Sequence, residues 1–130
     1  MIAISNSKRA RILRYYRYQS AQAEHLAAEA RKTVQQLHHR REALEQQAAA
    51  LSRCRDALAV STDAGSVTTA GHLDLCRRQM TVLDAGTALA EDALRSHAQT
   101  TEAAQHILND RQKQLQRLDL KQQLINRNMF

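Results

Sequence analysis

A chain of 130 residues with no proline, three glycines and one phenylalanine is too short for two comfortable domains and too poor in aromatics for an ordinary globular core. Ala, Gln, Leu and Arg dominate, all good helix formers, so the composition points to long helices or a coiled coil. Nineteen Lys and Arg against thirteen Asp and Glu leave a net +6, and no apolar run approaches the roughly 18 residues of a membrane span.

The chain opens MIAISNSKRARIL, which lacks the apolar stretch of a secretory signal and points to a cytoplasmic protein. Residues 7–20, SKRARILRYYRYQS, then hold five cations (Lys8, Arg9, Arg11, Arg14, Arg17) and every tyrosine of the chain (Tyr15, Tyr16, Tyr18). The first carboxylate comes only at Glu24. From here to residue 58 the apolar residues recur every seven positions. Tyr16, Ala23, Ala30, Leu37, Leu44, Leu51 and Leu58 form one series, and Leu13, Ser20, Ala27, Val34, Arg41, Ala48 and Arg55 its companion. A sustained seven-residue repeat marks a coiled-coil seam.

The repeat stops at STDAGSVTTAG, residues 61–71, a run of helix breakers and cappers in which Thr68 or Thr69 is the expected N-cap of a second helix. The period then resumes. Leu73, Met80, Thr87, Leu94, Thr101, Leu108 and Leu115 form one series, and Cys76, Leu83, Ala90, His97, Ala104, Arg111, Leu118 and Ile125 the other. The predicted fold is all-α, a long antiparallel two-helix coiled-coil hairpin occupying residues 1–130 as one unit. Helix 1 covers about 7–60, the turn about 61–70 and helix 2 about 71–127. Each helix would be ~75–90 Å long at 1.5 Å per residue.

Folding the chain about residues 65 and 66 pairs positions whose numbers add to 131, so that Leu58 meets Leu73, Leu51 meets Met80 and Tyr16 meets Leu115. A slip of one heptad, to 124 or 138, preserves the match, and turn length favours 131 or 138 over 124, which leaves almost no loop. The register of 131 also sets Cys54 near Cys76, within reach of a disulfide under oxidising handling; in the cytoplasm both are expected as reduced thiols. Arg41, Arg55, His97, Thr101 and Arg111 interrupt the seam, and the zone from Ser20 to Ala30 against Thr101 to Arg111 is small or polar, where bending or fraying is expected. Gly86 adds a soft point inside helix 2.

The hairpin brings both termini together. Residues 1–18 and 113–130 carry nine cations (the five above with Lys113, Arg117, Lys121 and Arg127) and one acid, Asp119, a net +8; residues 19–112 carry ten cations and twelve acids, a net −2. Cations at a helix N-terminus oppose its dipole, so local helix stability does not explain the pattern, and an acidic partner does. Nucleic acid fits the Arg, Lys and Tyr composition, but the second helix lies beside the basic region and blocks the forked geometry of a basic zipper. A membrane surface calls for a wide apolar face with Trp or Phe, which is lacking. An acidic protein surface is the third candidate, and Tyr and Arg are the residue types that dominate protein interfaces; a nucleic-acid-binding hairpin stays as a lesser alternative. The candidate partner-binding set is Lys8, Arg9, Arg11, Arg14, Tyr15, Arg17, Tyr18, Arg117 and Lys121, with Tyr16 on the seam as a packing residue. Apolar residues off the seam (Ile12, Leu26, Leu75, Leu89, Ile107, Leu120, Leu124) suit self-association into a four-helix bundle, the alternative of a coiled-coil scaffold.

His38 and His39 point about 100° apart on a helix, His25 and His97 stand alone, and no metal site or cofactor is expected. No phosphate loop, nucleophile elbow or carboxylate pair stands out, and two helices are not expected to enclose a cavity of ligand size, so no enzymatic activity is expected.

The opening SKRARILRYYR, the stretch GHLDLCRRQMTVLDAG after the turn and the closing RQKQLQRLDLKQQLINRNM together resemble the stalk proteins of type III secretion, the YscO/FliJ family, over the whole chain. The resemblance implies a hairpin like the central coiled coil of a rotary ATP synthase, with its termini in the pore of the hexameric secretion ATPase. Arg9, Arg11, Arg14, Arg17, Arg117 and Lys121 would face acidic loops of that ring. It further implies that the turn end points to the export gate and that secretion chaperones bind, without assigning residues to either contact.

Overall fold

The computed structural model describes residues 6–63 and 70–127, and they form two helices, α1 (Asn6–Asp63) and α2 (Ala70–Asn126). The protein is an all-α hairpin with α1 and α2 antiparallel. The expected N-cap at Thr68 or Thr69 lies outside the described residues. α1 runs three residues past the end that the repeat predicts, through Ser61 and Thr62. Ser and Thr each cost less than about 0.7 kcal/mol in a helix, too little to end one without glycine or proline.

The helices pair in two compact stretches. In the first, residues 6–36 with 101–127, the seam buries Ser20, Ala23, Ala27 and Val34 of α1 and Leu108, Leu118 and Ile125 of α2. The zone expected to fray holds the most deeply buried positions of α1, Ala27 at 0% and Ala23 at 2% exposure. Small side chains let two backbones approach, so a thin seam here is a tight one.

The register in this stretch differs from the preferred one. Gln122 Nε2 donates to the Tyr16 carbonyl at 3.2 Å and to Ser20 Oγ, the Lys121 ammonium lies 5.8 Å from the Tyr16 ring centre, and Arg9 donates to the Asn126 carbonyl. These pairs add to between 135 and 142, so the alignment is the heptad slip near 138 and not 131. The reason is visible in the seam. At 131, Ile125 would stand opposite Asn6 and Ala27 opposite Ala104, leaving an apolar side chain bare and a gap between two methyls. At 138, Ile125 stands opposite Leu13 and is 1% exposed, and the alanines Ala23 and Ala30 stand opposite Leu115 and Leu108. Large against small fills the seam.

The second stretch, Leu37–Thr100, buries Cys76, Ala90 and His97, with Leu37, Leu44, Leu51, Leu58, Met80, Leu83 and Leu94 half-buried. His97 Nε2 is 2.6 Å from the Leu37 carbonyl, Arg55 Nε is 2.9 Å from Asp84 Oδ1, and a Cβ at Gly86 would lie 3.5 Å from Leu51 Cδ2. These pairs add to between 134 and 139, again away from 131. Cys54 therefore does not stand opposite Cys76. It borders Val82 and Leu83, while Cys76 Sγ sits 3.6 Å from His72 Nε2 one turn before it, and both are free thiols.

Of the three seam arginines, Arg111 is half-buried, and Arg41 and Arg55 stay out of the core. Arg41 pairs with Glu45 of its own helix and Arg55 with Asp84 of α2, each guanidinium at the surface on its apolar stem. Among the off-seam apolar residues, Ile12 and Leu26 are half-buried, while Leu75, Leu89, Ile107, Leu120 and Leu124 are exposed.

Candidate partner-binding surface at the paired termini

Residues 6–36 and 101–127 carry twelve Lys or Arg and five Asp or Glu, a net +7. The nine residues selected from sequence all lie in this stretch, and packing divides them. Arg9 is half-buried and donates to the Asn126 carbonyl at the last turn of α2. That carbonyl is among the four that a helix leaves without an internal partner, and the C-terminal end of α2 is the negative end of its dipole. The cation that opposes the dipole of α1 therefore serves the dipole of α2, a local structural role that reasoning on one helix does not reach. Lys121 is likewise engaged, over the Tyr16 ring.

Arg11, Arg14, Arg17 and Arg117 are exposed, and among the described residues no ion pair joins them to a carboxylate. Lys8 is exposed beside them. The helical spacing i, i+3, i+4, i+7 sets Arg11, Arg14, Tyr15 and Tyr18 on one face of α1, away from the seam. Tyr15 and Tyr18 are 59% and 61% exposed. Both rings are held in place: Tyr15 packs edge-on against Tyr16 with centroids 5.4 Å apart, and the Tyr18 hydroxyl accepts from Gln22 Nε2 at 2.9 Å. Tyr16 is half-buried, the packing residue its seam position predicts. Held aromatics lose little entropy on binding, and guanidiniums without a carboxylate partner have no internal ion pair to break first.

Toward the end of the chain Lys113, Leu120, Leu124 and Arg127 join Arg117, which the sequence-based set already holds. Lys113, Arg117, Leu120, Leu124 and Arg127 succeed one another at intervals of three and four, so one line mixes cations with exposed leucines. The signal was present in the spacing, but a leucine off the seam reads as an ordinary surface residue unless its line is traced.

Other features are slight. Beside Tyr18 a hollow of about 450 Å³ is bordered by Ala21, Gln22, His25 and Leu26. In Leu37–Thr100 an open furrow of about 580 Å³ runs along Cys54, Ala57, Leu58, Gln79, Val82 and Leu83. It lies open along the surface and is not enclosed between the helices. His25 is not alone, since its Nε2 lies 3.1 Å from Glu29 one turn on, and among the described residues no three His, Cys, Asp or Glu side chains gather. No described helix is long and apolar enough to cross a membrane.

These features define an antiparallel two-helix coiled coil bearing a basic, tyrosine-lined surface where its ends meet. Comparison with known proteins finds no matching family, no matching curated protein and no matching solved structure.

Proposed function

We propose that the protein is the non-enzymatic central stalk of a type III secretion apparatus. In this reading it binds the hexameric secretion ATPase through the paired termini, promotes the assembly and activity of the ring, and couples it to the export gate. The observation that carries the reading is the exposed set Arg11, Arg14, Arg17 and Arg117, without carboxylate partners among the described residues and flanked by Tyr15 and Tyr18. Such a surface suits an acidic pore that presents similar subunits in turn. Long-range attraction brings the end in, and shallow contacts allow it to change subunits. Arg9 and Lys121 contribute to the local field while staying in their internal contacts. The resemblance of the opening, central and closing segments to the YscO/FliJ family supplies the partner's identity. Export-gate and chaperone contacts, and a cytoplasmic place beside the inner-membrane machinery, belong to the same proposal.

The test is ATP hydrolysis by the secretion ATPase encoded beside this protein, with and without the chain, at low and moderate salt. Stimulation is expected at low salt and should weaken as salt screens exposed charge. The triple variant Arg11→Glu, Arg14→Glu, Arg17→Glu should remain helical and lose the stimulation. No stimulation and no co-elution at low salt would overturn the reading. Retention on DNA or RNA, abolished by the same triple variant, would instead assign the surface to nucleic acid.

A further inference from the structure

We propose that the outward face of α2 near the paired termini docks a helix of a protein partner, one with an apolar centre and carboxylates on either side of it. This docking does not depend on a secretion ATPase being the partner of the α1 face. Lys113, Arg117, Leu120, Leu124 and Arg127 follow one another at intervals of four, three, four and three residues, and all are exposed, Leu120 at 56% and Leu124 at 37%. They stay within about 80° of the helix circumference and run for about 21 Å. The seam residues Leu115, Leu118 and Ile125 lie roughly 120–200° round the helix from them, so the line points away from α1. Alternating steps of three and four are the spacing of a coiled-coil seam, and a stripe this narrow suits one further helix. A broad core or a lipid surface calls for a wider and more continuous apolar face.

Charge decides what that helix carries. Lys113 and Arg117 stand on one side of the two leucines and Arg127 on the other, and among the described residues none of the three is in an ion pair with a carboxylate. An apolar centre within a charged rim is the layout of a protein interface. The same cations exclude a second copy of the chain. Set antiparallel on itself, the line puts Leu120 against Leu124 but also Arg117 against Arg127; set parallel, it puts Arg117 against Arg117. Either way guanidinium meets guanidinium, and like charges in contact cost several kcal/mol. A phosphate backbone would answer the cations and leave the leucines facing charge. Acids that flank an apolar pair answer both. Asp110, three residues before Lys113, closes the cationic run, so the carboxylates of the partner are met between Lys113 and Arg127.

Fluorescence anisotropy of a labelled peptide, titrated with the full chain, tests this. The probe is a peptide of about 20 residues, long enough to hold a helix in water. At alternating intervals of three and four it reads Glu, Glu, Leu, Leu, Glu, Glu, with Ala and Gln elsewhere. Saturable binding is expected, weakened by salt. Leu120→Ala and Arg117→Glu should each raise the dissociation constant roughly tenfold and leave helicity intact, since both side chains are exposed. The double variant Arg117→Glu, Arg127→Glu should bind the peptide with Lys in place of Glu, which the parent should not. The triple variant Arg11→Glu, Arg14→Glu, Arg17→Glu, on the other helix, should weaken peptide binding far less than Arg117→Glu alone, so loss of ATPase stimulation and loss of peptide binding are read separately. The proposal is overturned by the absence of saturable binding, or by equal binding of a peptide with Gln in place of both leucines. It is overturned too if the chain ignores the peptide and sediments, in a Leu120-dependent way, with vesicles containing phosphatidylglycerol, which would assign the line to a membrane.

Discussion

Gly86→Ala isolates one contribution to the hairpin's stability. Gly86 sits in the interior of α2 in ordinary helical backbone and is half-buried. An alanine there lowers the entropy of the unfolded chain and gains about 0.8–1.0 kcal/mol of helix propensity. The added methyl would lie 3.5 and 3.7 Å from the two Cδ atoms of Leu51, ordinary van der Waals distances that demand no movement. Two such contacts contribute about 0.2–0.4 kcal/mol more. The variant should therefore be more stable by about 1 kcal/mol, which for a chain of this length raises Tm by roughly 3–6 °C. Thermal melts tracked by far-ultraviolet circular dichroism, on dilute protein so that association does not contribute, measure it. An unchanged or lowered Tm would contradict this account, because it would mean that Leu51 does not leave the space the register gives it.

The seam supports further tests. The Ser20–Gln122 contact is a polar layer in the seam, so the double variant Ser20→Ala, Gln122→Leu should raise stability by about 1 kcal/mol and loosen the preference for the 138 register. Disulfide trapping with cysteine pairs placed at positions adding to 131 and to 138 should then capture both alignments, where the parent captures one. The Arg55–Asp84 bridge spans the two helices, but its side chains are 52% and 49% exposed, and a double-mutant cycle should find a coupling of about 0.5 kcal/mol that fades with added salt.

Much of the candidate surface is legible in the sequence because net charge and off-seam position are one-dimensional properties. Arg11, Arg14, Tyr15 and Tyr18 obey helical spacing and need no partner to be placed outward. Arg9 is not legible for the opposite reason: its role depends on a carbonyl 117 residues away, which only the antiparallel return of α2 supplies. Leu120 and Leu124 are recognisable as off-seam residues but not as a line with Lys113, Arg117 and Arg127, because the heptad seam dominates the pattern and hides a second line.

That there are two helices, and which face of each turns inward, is decided by the order of residues alone, since a seven-residue repeat of Leu and Ala allows one buried line per helix and the absence of proline lets it run. The gathering of positive charge at the paired termini is decided at the same level. The alignment is not, because a repeat of seven is satisfied equally by a slip of seven. That choice falls to side-chain volume and to polar bonds across the seam: Ile125 needs cover, Ala23 and Ala30 need leucines opposite them, and Gln122 finds Ser20 and the Tyr16 carbonyl. With the alignment come the separation of Cys54 from Cys76 and the furrow that Cys54 shares with Val82. Period is a property of one helix, whereas fit is a property of two.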